Sequence, residues 1–152
     1  MRVYFIQHGK AVDEKTNPQR PLSEEGVKET EKMASLLASP GLIKIARIYH
    51  SVKLRSKQTA EILSNHLKPA VGLQQLEEIK PNDAPEELAL VLNNVNEDVM
   101  VAGHMPHLSR TVSMLLTGDA DAMPAYFSNS GVICLEKSED KVWGVAPVFV
   151  FG

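Results

Sequence analysis

Apolar residues in this chain alternate between short continuous runs and sparser, helically spaced sets almost from end to end. Arg2–Ile6 is a brief run rich in Val, Tyr and Phe, the pattern of a buried strand. A polar, proline-containing stretch, Val12–Pro21, follows it. Within Ser23–Ser39, Val27, Met33, Leu36 and Leu37 recur at roughly helical spacing. Ser23 is placed to cap that helix, Glu24 and Glu25 to favour its positive end, and Pro40-Gly41 to stop it. Ala46–His50 predicts a second strand. Lys53–Leu67 predicts a second helix with Leu54, Ile62 and Leu63 turned inward and Ser51 as its cap. Val71–Leu76 reads as a third strand. The next helix starts near Asp83, which stands three residues before Glu86 in a capping-box spacing, and runs to about Val95. Asp98–Ala102 is a strand and Pro106–Leu116 a helix with Pro in its first turn. Beyond the irregular loop Gly118–Ser130, two strands, Gly131–Leu135 and Val142–Val150, are joined by the polar turn Ser138–Lys141.

Strand and helix thus alternate four times before a closing hairpin. This predicts an α/β fold: a three-layer sandwich with a mainly parallel central sheet, an antiparallel edge and helices on both faces. No repeat, low-complexity tract or linker interrupts it, so residues 1–152 read as a single domain. At 43% hydrophobic and 23% charged residues, the chain has the balance of a globular protein with a real core. A net charge of −3 argues against bulk attraction to nucleic acid or an anionic membrane, so any bound anion needs a local cluster. Cys134 is the only cysteine and sits in an apolar run, where it reads as a small buried hydrophobe. Val3–Ile6 is too short for a secretory core, and nothing approaches the ~20 apolar residues of a membrane span. A cytoplasmic monomer is the expectation.

Ligands of such sheets bind beyond the carboxyl ends of the strands, so the residues following each strand matter most. After the first strand come Gln7-His8-Gly9-Lys10, after the second Ser51 with Arg55 a turn further on, and after the fourth Gly103-His104. A neutral imidazole is a nucleophile able to form a covalent intermediate. A glycine beside it lets a ligand approach the backbone, and a guanidinium matches phosphate oxygens with a planar fork of donors. A helix start adds free N–H groups, and a protonated His104 would add a further donor. Phosphoryl transfer needs little beyond positioning and charge stabilisation, which such a set supplies. His50, His66 and His107 read as exposed helix or loop residues, and Asp83 as a helix cap. The five histidines lack metal-ligand spacing, so neither metal nor other cofactor is expected.

With these residues in view, the chain resembles the histidine phosphatase superfamily, the phosphoglycerate mutase-like group, and within it the small phosphohistidine phosphatases of the SixA type. The resemblance runs through VYFIQHGKA (Val3–Ala11), RPLSEEG (Arg20–Gly26), SVKLRSKQT (Ser51–Thr59) and VAGHMP (Val101–Pro106), in order. It implies a phosphohistidine intermediate on His8, with Arg55 and His104 holding the phosphoryl oxygens and Gln7 and Gly9 beside them. Lys10, Arg20 and Ser51 are further candidates for the phosphate site. The long lid insertion of mutase-type relatives is missing, which suits a phosphohistidine borne on a signalling or phosphotransfer protein. The glutamate that protonates the leaving oxygen in mutases has no match in Leu76–Asp83; an imidazole leaving group has less need of it.

The family carries arginine where this chain has Gln7. Glutamine keeps donors and loses the fixed charge, and loss of one strong transition-state donor costs ~2.7–4 kcal/mol in other enzymes. Two other readings therefore stand beside the phosphohistidine phosphatase: a phosphatase of small phosphoesters, and a non-catalytic module that binds phosphate or a phosphoprotein. A nucleotide-binding α/β domain is disfavoured, since neither G-x-G-x-x-G nor G-x-x-x-x-G-K follows any strand.

Overall fold

Side chains alternate faces along a strand, and the first strand, β1 (Arg2–Gln7), buries both. Val3 and Phe5 enter one apolar cluster, Tyr4 and Ile6 the other. The computed structural model describes residues 1–39, 41 and 43–149. After β1 come α1 (Glu24–Ala38), β2 (Arg47–His50), α2 (Leu54–Leu67), β3 (Gly72–Gln75), α3 (Glu86–Asn94), β4 (Val99–Gly103), α4 (His107–Thr117), β5 (Val132–Lys137) and β6 (Trp143–Ala146). They form one six-stranded sheet in the order β3-β2-β4-β1-β5-β6. The pairings β3–β2, β2–β4 and β4–β1 are parallel, whereas β5 runs antiparallel to β1 and β6 antiparallel to β5. The predicted three-layer α/β sandwich with its antiparallel edge is the observed fold.

Crossover handedness explains which helix lies where. From β1 through β2 to β3 the chain steps toward one edge, and α1 and α2 cover the face of Tyr4, Ile6, Ile48 and Met100 through Ala34, Leu37, Ala60 and Leu63. From β3 it returns to β4, and a right-handed crossover places α3 on the opposite face, where α4 joins it before the chain enters the antiparallel edge. There Leu88, Leu92, Leu108 and Val112 pack on Val3, Phe5, Val99 and Val101. The chain therefore leaves β1 and its neighbour β4 toward opposite faces. This opens a crevice at their carboxyl ends, the switch point where ligands of such sheets bind.

Several expectations need correction. Val27 and Leu36 are 39% and 56% exposed; of the spaced apolar set α1 fully buries Leu37, together with Gly26, Thr30 and Ala34. Small residues are needed there because the helix crosses the segment after β1 closely: a Cβ at Gly26 would stand 2.0 Å from the Lys10 carbonyl oxygen. Ser23 does cap α1, its hydroxyl accepting the Gly26 N–H at 3.0 Å. Asp83 does not cap α3, which starts after Pro85; its carboxylate accepts the Lys80 N–H at 2.8 Å and closes a turn. Nor is Ser51 the cap of α2, a position held by Lys53. Leu63 is fully buried, whereas Leu54 and Ile62 are only partly so. The last strand is shorter than expected, ending at Ala146, and both Val150 and Pro40 lie outside the described residues. His50 and His107 are buried, and His66 is half-buried and pairs with Glu31 of α1. No helix among the described residues is long and apolar enough to cross a membrane.

Candidate active site

His8 follows β1 at the crevice, held from two directions. Its backbone N–H donates to the Gly103 carbonyl at 2.9 Å, and its carbonyl accepts from the Asn129 side-chain amide at 3.0 Å. Its Nδ1 lies 2.7 Å from the Gly9 carbonyl oxygen. A carbonyl only accepts, so Nδ1 carries the proton and Nε2 presents its lone pair. That lone pair faces the Arg55 guanidinium, whose Nε donates to it at 3.3 Å. Burial, reinforced by the charges of Arg55 and Arg20 and opposed by the Gly9 hydrogen bond, pushes the imidazole down to about 4. At neutral pH the ring is uncharged, as a nucleophile requires. In a ¹⁵N NMR titration, His8 is expected to stay neutral and protonated on Nδ1 from pH 7 down to about 5. Protonation near 6.5, or the opposite tautomer, would contradict this geometry.

Arg55 stands in the first turn of α2 and is 9% exposed. His104 follows β4, is 1% exposed, and places its ring centroid 5.0 Å from that of His8 at a tilt of 58°. Its Nε2 lies 2.6 Å from the Ser51 hydroxyl, which also accepts the Lys53 N–H at 3.1 Å. Burial, with His8, Arg55, His107 and Lys53 around it, pushes His104 down to about 2. His104 is thus neutral in this arrangement, and an arriving phosphoryl dianion would be the charge that favours its protonation. The fold brings His8, Arg55, His104 and Ser51 into one cluster.

The other sequence-predicted residues are placed differently. Gln7 pairs in register with Gly103, and its side-chain Oε1 is buried with no hydrogen-bond partner. Gly9 is also required by packing: a Cβ there would meet the Thr30 hydroxyl at 2.5 Å and the Gly26 carbonyl at 3.0 Å. Its missing side chain makes room for α1. Lys10 is exposed, its Nζ 2.7 Å from the Glu25 carboxylate. Arg20 hydrogen-bonds the Val12 carbonyl through Nε at 3.2 Å, and its charge acts on both His8 and Arg55. Arg20 lines the same cleft as Arg55, whereas Lys10 is drawn away to Glu25.

Sequence reading missed the residues that hold this cluster together. Thr59 accepts the Gly9 N–H at 3.0 Å and donates to the Arg55 carbonyl at 2.8 Å, joining the segment after β1 to the helix that carries the guanidinium. Ser56 accepts the Ser51 N–H at 2.8 Å and donates to the Ala102 carbonyl at 2.7 Å, tying the end of β2 to β4. Asn129 and Ser130 come from the long loop before β5, and Ser130 donates its N–H to the Gln7 carbonyl at 3.0 Å. Thr59 lies in a recognised motif; nothing in the sequence marks Asn129. Among the described residues, no group of three or more His, Cys, Asp or Glu side chains comes together as a metal site. Cys134 is buried, and burial pushes its thiol up to about 11.

Sheet order and site together match a known class. The sequence profile of the histidine phosphatase superfamily, branch 1, matches residues 3–90, and the chain belongs to that family. Among solved structures, the protein histidine phosphatase SixA complexed with tungstate superposes with a TM-score of 0.85 at 25% identity, covering 96% of this chain and 94% of that one. A putative phosphohistidine phosphatase SixA from Agrobacterium tumefaciens gives 0.73 at 27% identity, over 96% and 95% of the two chains. A putative alpha-ribazole-5'-P phosphatase from Escherichia coli shares the fold at 0.75 with 14% identity, over 96% and 95%. No curated protein sequence matches the chain.

Proposed function

We propose that this chain is a phosphohistidine phosphatase that transfers the phosphoryl group to His8. The observation that carries the reading is the proton-free Nε2 of His8, held 3.3 Å from the Arg55 Nε with the His104 ring beside it. In the proposed first step, Nε2 attacks phosphorus in line. The P–Nε2 bond forms as the P–N bond to the substrate histidine breaks; a solvent proton already on that ring's other nitrogen lets it depart as neutral imidazole. Arg55, His104 and the amide of Gln7 hold the three oxygens as their charge redistributes. Water then attacks phospho-His8 and releases inorganic phosphate and free His8. Of the carboxylates between β3 and α3, Glu77 accepts from Gln75 and Asp83 pairs with Lys80, and neither is assigned as an acid. That arrangement suits a phosphoramidate, whose leaving imidazole is far less basic than an alkoxide. The likeness to SixA structures supports the same substrate class.

Brief mixing with a phosphohistidine peptide, followed by mass spectrometry, is expected to show one phosphate on His8 and continuing turnover. Faster hydrolysis of p-nitrophenyl phosphate would favour a phosphoesterase. Tight phosphate binding without labelling or turnover would indicate a binding module, the reading that Gln7 keeps open. Turnover is expected to survive EDTA unchanged, because the charge stabilisation comes from side chains; complete loss restored by one metal would overturn that part.

A further inference from the structure

We propose that the cleft adjoining Arg55 docks the acidic face of the protein that carries the phosphorylated histidine, an inference that rests on the phosphatase reading above. The cleft has a volume of about 650 Å³ and is lined by Arg20, Lys53, Arg55, Lys57, Glu14 and Gln75, among others. Four of those side chains are cations and one is a carboxylate, on a chain whose net charge is −3. The positive charge is a local feature set against an acidic whole. Arg55 belongs to both places, since its Nε contacts His8 Nε2 at 3.3 Å while the residue lines the cleft. A group seated in the cleft is therefore contiguous with the reacting phosphorus.

The walls are built to present charge. Lys53 and Lys57 stand one helical turn apart at the start of α2, about 6 Å along its axis, so their ammonium groups share one side of the cleft. Arg20 enters from the loop between β1 and α1, anchored by its bond to the Val12 carbonyl. Val52, 38% exposed, adds an apolar side chain to the lining.

A lone phosphoryl group would be held by His8, Arg55 and His104 and would leave Lys53 and Lys57 unmatched. The acidic residues that surround a phosphohistidine on a protein surface would pair with both. Rim charges of this kind act mainly on encounter and are screened by salt, leaving the chemical step alone.

The test uses two phosphohistidine peptides of equal length, one with Asp and Glu around the phosphorylated residue and one with Asn and Gln. The intact protein is expected to show kcat/KM about ten-fold higher for the acidic peptide at low ionic strength, with the advantage shrinking as salt rises. Lys57→Glu is expected to lower kcat/KM for the acidic peptide about five-fold through KM, with kcat and the neutral peptide unaffected, and Lys57→Arg to restore it. Equal rates for the two peptides with normal turnover would overturn the docking surface and leave the phosphatase reading intact. Absence of turnover on both peptides, with no label on His8, would remove the phosphatase reading and the docking surface with it.

Discussion

His8→Ala is expected to abolish covalent labelling and to lower turnover by on the order of 10³-fold or more, with the fold retained. The size of the loss follows from what the imidazole supplies. Nε2 is the atom that would bond to phosphorus, and neither His104 nor Arg55 replaces it: the ring of His104 is engaged through Nε2 with Ser51, and a guanidinium is no nucleophile. The fold should survive because β1 is held by its own pairings to β4 and β5, and by the backbone bonds from His8 to Gly103 and Gln7 to Gly131. The side-chain bond that is lost, from Nδ1 to Gly9, contributes on the order of 1 kcal/mol. Phosphate binding should persist on Arg55 and His104. The measurements are burst-phase labelling, steady-state turnover and a circular dichroism melt on the same preparation. An alanine variant keeping a tenth of the wild-type rate would rule out the covalent mechanism.

Gln7→Arg is expected to raise kcat/KM about ten-fold, which corresponds to roughly 1.4 kcal/mol of barrier. Gln7 stands beside the nucleophile on a strand paired to the one that carries His104, and its Oε1 is buried without a partner. An orphaned carbonyl oxygen next to an anion site contributes repulsion where a guanidinium would contribute two donors and a charge. The gain should appear in kcat, because the negative charge held by the site is most sharply redistributed in the transition state. Two control variants separate the sources of compensation. Lys10→Ala should be indifferent, since Lys10 is exposed and paired with Glu25. Arg20→Ala should lower the rate several-fold, since Arg20 lines the same cleft as Arg55 and offers a guanidinium beside it. A fall in Gln7→Arg, together with a large loss in Arg20→Ala, would mean that Arg20 has fully taken over and that the new side chain only crowds the pocket.

The alternation of apolar runs with helical spacing was enough to determine the α/β class and its antiparallel edge, because strand and helix bury their residues at different periods and the core enforces both. Placement of candidate residues after strands was likewise legible, since in a parallel sheet all carboxyl ends point one way. Thus His8, Arg55 and His104, which lie far apart in the chain, were grouped before any distance was known. Tertiary structure decided what periodicity cannot carry. Which face of α1 is buried depends on how closely it crosses the segment after β1, so Gly26 and Thr30 go inward while Val27 and Leu36 stay out. A packing need for glycine at position 9 arises from the same crossing. Histidine 107 reads as a polar helix residue in sequence and is buried because α3 and α4 pack together over that face of the sheet. Ser51 turns from helix cap to partner of His104 because β2 and β4 are neighbours in the sheet, though not in the chain. The protonation of His8 was set last of all: its lone pair points at Arg55 because a carbonyl one residue away claims the other nitrogen, and partial burial keeps the ring neutral.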